Sequence, residues 1–405
     1  MDDGGVFAGH FEVAGSTWLI DSRNRRLPTL QAGQDYFLSR RPLDVHCHGV
    51  GPYDFTDIAN LRLQHIEQVL RDEALDCVLT LYLPRYAFDD FLALLDEFAA
   101  GRRAGLYSHI RGFAIEGPIL ASRGGTPERG VWVPTTTQWE RLAAGGRKGL
   151  LYCVISPDAT WETDGAGSDR PPDVAWIVRT LLDGGVLPAP GHFRKDDPAT
   201  SARRLQELFD IVGERGRVTI TDHLFNDMPL RFKHAWRTPH ERKRRGEDLR
   251  ALNISGWSFA NLESDVGPVP AVMMRAARDG VVKVCLNFDG EHVDHAISSR
   301  AVELLGPGAV IGMTDRIDSR RLAGRNLATR EASTLLYEHH GVVAAGSQSI
   351  DTQRTAMVRL GMRDDEIWRM FVFNGAEVFG LHPSTGAGAS FQGAFIGDRV
   401  RMGAR

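Results

Sequence analysis

From residue 42 to residue 314 the chain alternates between short apolar runs and longer amphipathic stretches, and this alternation limits the possible folds more than any single motif. The apolar runs are 42–47, 77–83, 110–115, 150–155, 186–190, 217–222, 281–287 and 309–314, each the length of a buried strand. Between them, 61–73, 88–100, 172–184, 198–213 and 298–305 carry apolar residues at helical spacing. Strands that alternate with helices make a parallel sheet, and eight such units predict a (β/α)8 TIM-like barrel. The barrel is expected over residues 42–381. Residues 1–41 read as a small β-rich element, and the tail from His382 is rich in Gly and Ala.

Composition narrows the setting. A chain of 405 residues with 42% hydrophobic content can bury a large core. The formal net charge of −4 gives no general attraction to nucleic acid or to an anionic membrane surface, so neither is expected as a partner. Cys47, Cys77, Cys153 and Cys285 are far apart with no CxxC pair, which argues against a disulfide framework. Met1–Gly5 lacks the apolar core of a signal peptide, and no run approaches the roughly 18 apolar residues of a membrane span. A cytoplasmic protein is the expectation.

If the barrel forms, its chemistry belongs at the C-terminal ends of the strands. Polar residues suited to a metal stand there. His46 and His48 end the first run and, two apart on a strand, share a face about 7 Å apart. Glu116 ends the third run, His192 the fifth, Asp222 and His223 the sixth, Asp289 to His292 the seventh, and Asp315 the eighth. Taken singly, Asp289 could cap a helix and Asp222 could be solvated. Imidazoles with carboxylates suit zinc first, with iron, manganese or cobalt as alternatives, whereas calcium and magnesium prefer oxygen cages. A catalytic metal site keeps a position for water, lowers its pKa and favours amide hydrolysis through a metal-bound hydroxide. Asp315 is the candidate to move the proton to the leaving amine.

The ordered set His46-Cys47-His48-Gly49, Glu116-Gly117-Pro118, Gly191-His192, His223-Leu224-Phe225-Asn226-Asp227-Met228-Pro229, Asp289-Gly290-Glu291-His292-Val293, Thr314-Asp315 and Ala345-Gly346-Ser347 resembles the N-acetylglucosamine-6-phosphate deacetylases of the amidohydrolase superfamily. The likeness runs from about residue 43 to Leu381. It implies that Glu116, His192 and His223 hold a principal metal, and that His46 and His48 add a second one bridged by the glutamate. It also implies that Asp315 is both the catalytic acid/base and a metal ligand, that His292 lies by the substrate carbonyl or sugar, and that Asn226 and Met228 belong to the sugar-holding segment. One or two divalent ions, an N-acetylated amino sugar as substrate, a homodimer, and a reduced β-sandwich from residues 1–41 and 382–405 complete the implied picture.

Two departures bear on substrate. Asp227 stands where the resembled family usually has a small residue, and its charge would repel a phosphate, which favours a neutral or cationic amino-sugar compound. The basic segment 231–250 replaces the loop that brings an arginine to the phosphate, with Arg231 and Arg237 as candidates and solvation the expectation for most of its charges. Alternative readings are a hydrolase of another N-acyl amine or cyclic amide, or an inactive ligand-binding homologue. The scarcity of lysine, with none ending the fourth run, favours Glu116 over a carboxylated lysine as the bridge.

Overall fold

Each of the eight apolar runs becomes a parallel strand in the computed structural model, which describes residues 12–13, 16–17, 41–161, 172–232 and 239–381. The strands are β1 (Leu43–Gly49), β2 (Asp76–Leu81), β3 (Ile110–Glu116), β4 (Leu150–Ile155), β5 (Leu187–Pro190), β6 (Thr219–His223), β7 (Val282–Asn287) and β8 (Val310–Met313). The expected helices lie within a few residues of their periodic patterns: α1 (Leu63–Asp72), α2 (Phe88–Arg103), α4 (Val174–Gly184), α5 (Pro198–Glu214) and the helix His295–Leu305, while α3 (Thr136–Ala144) forms outside the periodic stretches. Local chemistry sets their ends. The Asp173 side chain accepts from the Trp176 N–H to start α4, which stops at the left-handed Gly185. Asp197 caps α5, with Pro198 at its first position.

The expected single closed sheet is not what forms. The strands β1 to β5 pair in chain order in one sheet, extended beyond β1 by Arg316–Ile317, Val343–Gly346 and Leu335–Tyr337; β6, β7 and β8 form a second sheet. The physical reason at one seam is the composition of β5, Leu-Pro-Ala-Pro. Gly191 N–H donates to Ile155 O, towards β4, so by alternation Pro188 and Pro190 face the β6 side with no N–H to give. There the link is a side chain: Thr219 Oγ1 donates to Pro188 O at 2.7 Å. At the other seam Asp44 stands in for the ladder, accepting from Thr314 N–H at 3.2 Å and Thr314 Oγ1 at 2.5 Å, and Asp315 N–H donates to His46 O. Both seams are stitched, and the C-terminal strand ends face a common cleft.

Segment 231–250 does not stay a solvated insertion throughout. It contains most of α6 (Pro239–Ala251), from which Arg245 is buried and donates to Gly290 O at 3.0 Å. The closing turn is anchored by Asn374, whose Nδ2 donates to Pro307 O and Val310 O at the start of β8. Of the small terminal domain, only the antiparallel pair Glu12–Val13 with Ser16–Thr17 is described; the rest of 1–40 and all of 382–405 lie outside the described residues. No helix among the described residues is long and apolar enough to cross a membrane, and all four cysteines are free and buried.

At the far end of the strands, Glu67 of α1 fixes the start of β3. Its carboxylate accepts from the backbone N–H groups of Ser108, His109 and Ile110 at 2.8–3.0 Å. Burial would raise its pKa, but these bonds hold it below the ordinary carboxylate value. Glu67→Ala is expected to cost at least about 2 kcal/mol, since it strands buried donors. Because the folded pKa is depressed, the contribution is present at neutral pH and lost as pH falls through that pKa. Chemical denaturation of both proteins at pH 7 and pH 4 checks this: the gap between them should shrink at the lower pH.

Candidate metal centre

Seven buried ionisable side chains converge where the strands end: His46 and His48 from β1, Glu116 from β3, His192 after β5, Asp222 and His223 from β6, and Asp315 after β8. They form two sets whose ligand-type atoms lie within 4.8 Å of one another: Glu116, His192, Asp222 and His223; and His46, His48 and Asp315. Glu116 lies between them. Its Oε1 is 2.7 Å from His192 Nε2, and its Oε2 is 3.0 Å from His46 Nε2 and 3.1 Å from His48 Nε2. Asp315 Oδ1 is 3.2 Å from His48 Nε2, while its Oδ2 is 3.5 Å from His292 Nε2.

Neighbours fix the rings. Tyr152 OH is 3.1 Å from His46 Nδ1, Tyr82 stacks on His48 with its hydroxyl 3.2 Å from Nε2, and His192 Nδ1 is 2.9 Å from Ser122 O. Asp289 does not cap the following helix, a task that falls to Asp294. Instead Asp289 accepts from the backbone N–H groups of Glu291 and His292 and holds His292 Nδ1 at 2.6 Å.

The electrostatics favour positive charge here. Burial would lower the His48 pKa, but Asp315 and Glu116 raise it well above the ordinary imidazole value. His192 is raised in the same way by Asp227 and Glu116 against its burial. Burial would raise Glu116, yet His192, His46 and His48 hold it well below the carboxylate range. Asp315, also buried, is brought down to about 2 by His48 and His292. His292 rises to about 9 because Asp289 outweighs burial. A field that holds protons on imidazoles also suits a divalent cation, and the nitrogen and carboxylate donors fit a first-row transition metal. Both oxygens of Asp222 are buried and, among the described residues, accept no hydrogen bond, which adds to that fit.

All the proposed metal residues therefore come together, and His292 joins them. Asn226, Asp227 and Met228 line a cleft of about 730 Å³ with them. Three sequence expectations change. Asp222 is buried among the histidines rather than solvated; strand alternation hid it, because it should face away from His223. Asp227 is not a free charge: Lys195 Nζ lies 2.5 Å from Oδ1, Ser122 Oγ donates to Oδ1 at 3.0 Å, and His192 Nδ1 is 2.9 Å from Oδ2. Burial would raise its pKa, but His192 and Lys195 keep it well below the usual range. Arg231 is exposed and does not line the cleft, and Arg237 lies outside the described residues. Among the described residues, the lysine and arginine side chains lining the cleft are Lys195, Arg244 and Arg245, two of them on the basic helix α6.

Comparison with solved structures identifies the architecture. An N-acetyl-D-glucosamine-6-phosphate deacetylase from Mycobacterium smegmatis superimposes with a TM-score of 0.58 at 19% identity, covering 94% of this chain and 87% of that one. The N-acetylglucosamine-6-phosphate deacetylase from Pasteurella multocida gives 0.60 at 14% identity, covering 88% and 87%. The fold is the one these deacetylases share. The enzyme of that name from Thermotoga maritima gives 0.57 at 12% identity, covering 90% and 88%. No protein-family model and no curated protein matches the sequence.

Glu116 touches both sets, so its loss should cost the most metal. Metal analysis of protein reconstituted with excess zinc or manganese and then desalted should find up to two equivalents in the wild type and a clear loss in Glu116→Gln. His46→Ala/His48→Ala should lose one equivalent and keep the other. Equal metal content in all three proteins would contradict the assignment.

Proposed function

We propose that this chain is a metal-dependent amidohydrolase that removes the acetyl group from an N-acetylated amino sugar, with the two sheets acting as one (β/α)8 barrel. The observation that carries the reading is the Glu116 carboxylate between two histidine sets at the C-terminal strand ends, in the fold of known N-acetylglucosamine-6-phosphate deacetylases. His46 and His48 would hold one cation and His192 and His223 another, with Glu116 shared. A bound divalent cation would supply water activation and polarisation of the amide carbonyl.

The chain's own residues do the rest. Asp315, between His48 and His292, accepts a proton and passes it to the departing amine. Asp289 orients His292 so that Nε2 faces Asp315 and the cleft, where it can donate to the substrate carbonyl or a sugar hydroxyl. Asn226 and Met228 belong to the cleft wall, with Leu230 and Phe232 as apolar surface for a sugar face. Asp227, answered by Lys195 and His192, no longer argues against an anionic substituent. Arg244 is exposed at the cleft and suits a phosphate on the sugar.

Acetate release by metal-loaded protein should be seen with N-acetylated amino sugars and should depend on the metal. Hydrolysis of other amides with no release from any N-acetyl sugar would contradict the proposal. Asp315→Asn should stay folded and lose about 10²–10⁴-fold in kcat. Arg244→Ala should raise KM several-fold for N-acetylglucosamine-6-phosphate while leaving that for N-acetylglucosamine unchanged; equal changes for both would remove the arginine from substrate recognition.

A further inference from the structure

Asp222 has no assigned task in the reaction above, yet it is buried in the site. Next to His223 on a regular strand it would point to the opposite face. The register of β6 against β7 shifts between Ile220 and His223, which pair with Lys283 and Cys285, so three steps on β6 match two on β7. The irregularity lets both side chains enter the cleft. Asp222 is 1% exposed. Its Oδ2 is 3.4 Å from His192 Nε2 and 3.4 Å from His223 Nε2, and its Oδ1 is 3.6 Å from His46 Nδ1. Among the described residues neither oxygen finds a hydrogen-bond donor, although a buried carboxylate needs donors or a cation. Gly191 leaves the space for it: a Cβ there would sit 2.4 Å from the Asp222 Cβ.

We infer that Asp222 is a protein ligand of the cation held by Glu116, His192 and His223, making that position a two-imidazole, two-carboxylate site. The inference rests on reading the centre as a cation site and is independent of the substrate. It has a consequence for the metal. Four protein ligands would complete a tetrahedral zinc, whereas a working position must remain open. A cation that accepts five or six ligands, such as manganese, iron(II) or cobalt(II), keeps that opening and gains from the second carboxylate.

The test uses the metal-stripped full chain titrated with Co²⁺ to one equivalent and followed by visible absorption, with Mn²⁺ affinity measured in parallel by electron paramagnetic resonance. The wild type should show the weak bands of five- or six-coordinate cobalt. Asp222→Asn should bind Mn²⁺ at least about tenfold more weakly, the lower range for disturbing a metal ligand's environment, and should change the cobalt spectrum. Intense tetrahedral bands in the wild type would overturn the open, five- or six-coordinate position, and this holds even if the variant does not fold. A folded Asp222→Asn with unchanged spectrum and affinity would overturn the inference that Asp222 is a ligand. Failure of the wild type to bind either ion would overturn the cation reading itself, while metal binding without sugar deacetylation would leave Asp222 standing and sink only the proposed substrate.

Discussion

A carboxylate that is 2% exposed and surrounded by imidazoles is the constraint on which the rest of this structure depends. Glu116 has lost its water, and only positive charge or donors on several sides make that tolerable. Those partners come from β1 and from the ends of β5, reached over the C-terminal rim of the sheet. Asp315 is tied to the same rim by its N–H bond to His46 O, so the seam between the two sheets and the geometry of the site are one problem. A shift of β8 against β1 would move Asp315 away from His48 and leave both charges less well answered.

The backbone around the cleft carries visible strain. His192, Phe225, Asp227 and Asp315 all have positive φ, at 55°, 69°, 39° and 52°. Such conformations cost on the order of 1–3 kcal/mol each for residues with a side chain and persist where the surroundings over-determine them. Here the surroundings are hydrogen bonds: Phe193 N–H to Asp227 O joins the β5 and β6 loops, and Gly346 N–H to Asp315 O holds the β8 loop. The stabilising work is done elsewhere, by the aromatic and aliphatic core beneath and by contacts such as Glu67 at the opposite end.

The strands, most of the helices and the site histidines were legible because each depends on local sequence: apolar runs of strand length, helical periodicity, and polar residues just past strand ends. His46 and His48 illustrate this, since two-residue alternation alone places them together. What was not legible depended on partners remote in sequence or on broken rules. Asp222 needed the register shift of β6, which its own sequence does not signal. The Lys195–Asp227 pair joins positions 32 residues apart, so Asp227 read as a bare charge. The open seam beside β5 had a signal in Pro188 and Pro190 that the count of eight units obscured. Arg245 gave none, because a basic helix without an apolar stripe reads as solvated until the Gly290 carbonyl is found against it.

The Glu116 carboxylate is proposed as a shared ligand between two cation positions. Anomalous X-ray diffraction from crystals grown with manganese or zinc, collected on both sides of the metal's absorption edge, tests it most directly. Two peaks flanking Glu116 are expected, one beside His46 and His48 and the other beside His192, Asp222 and His223. A single peak remote from Glu116, or none at full metal loading, would contradict it.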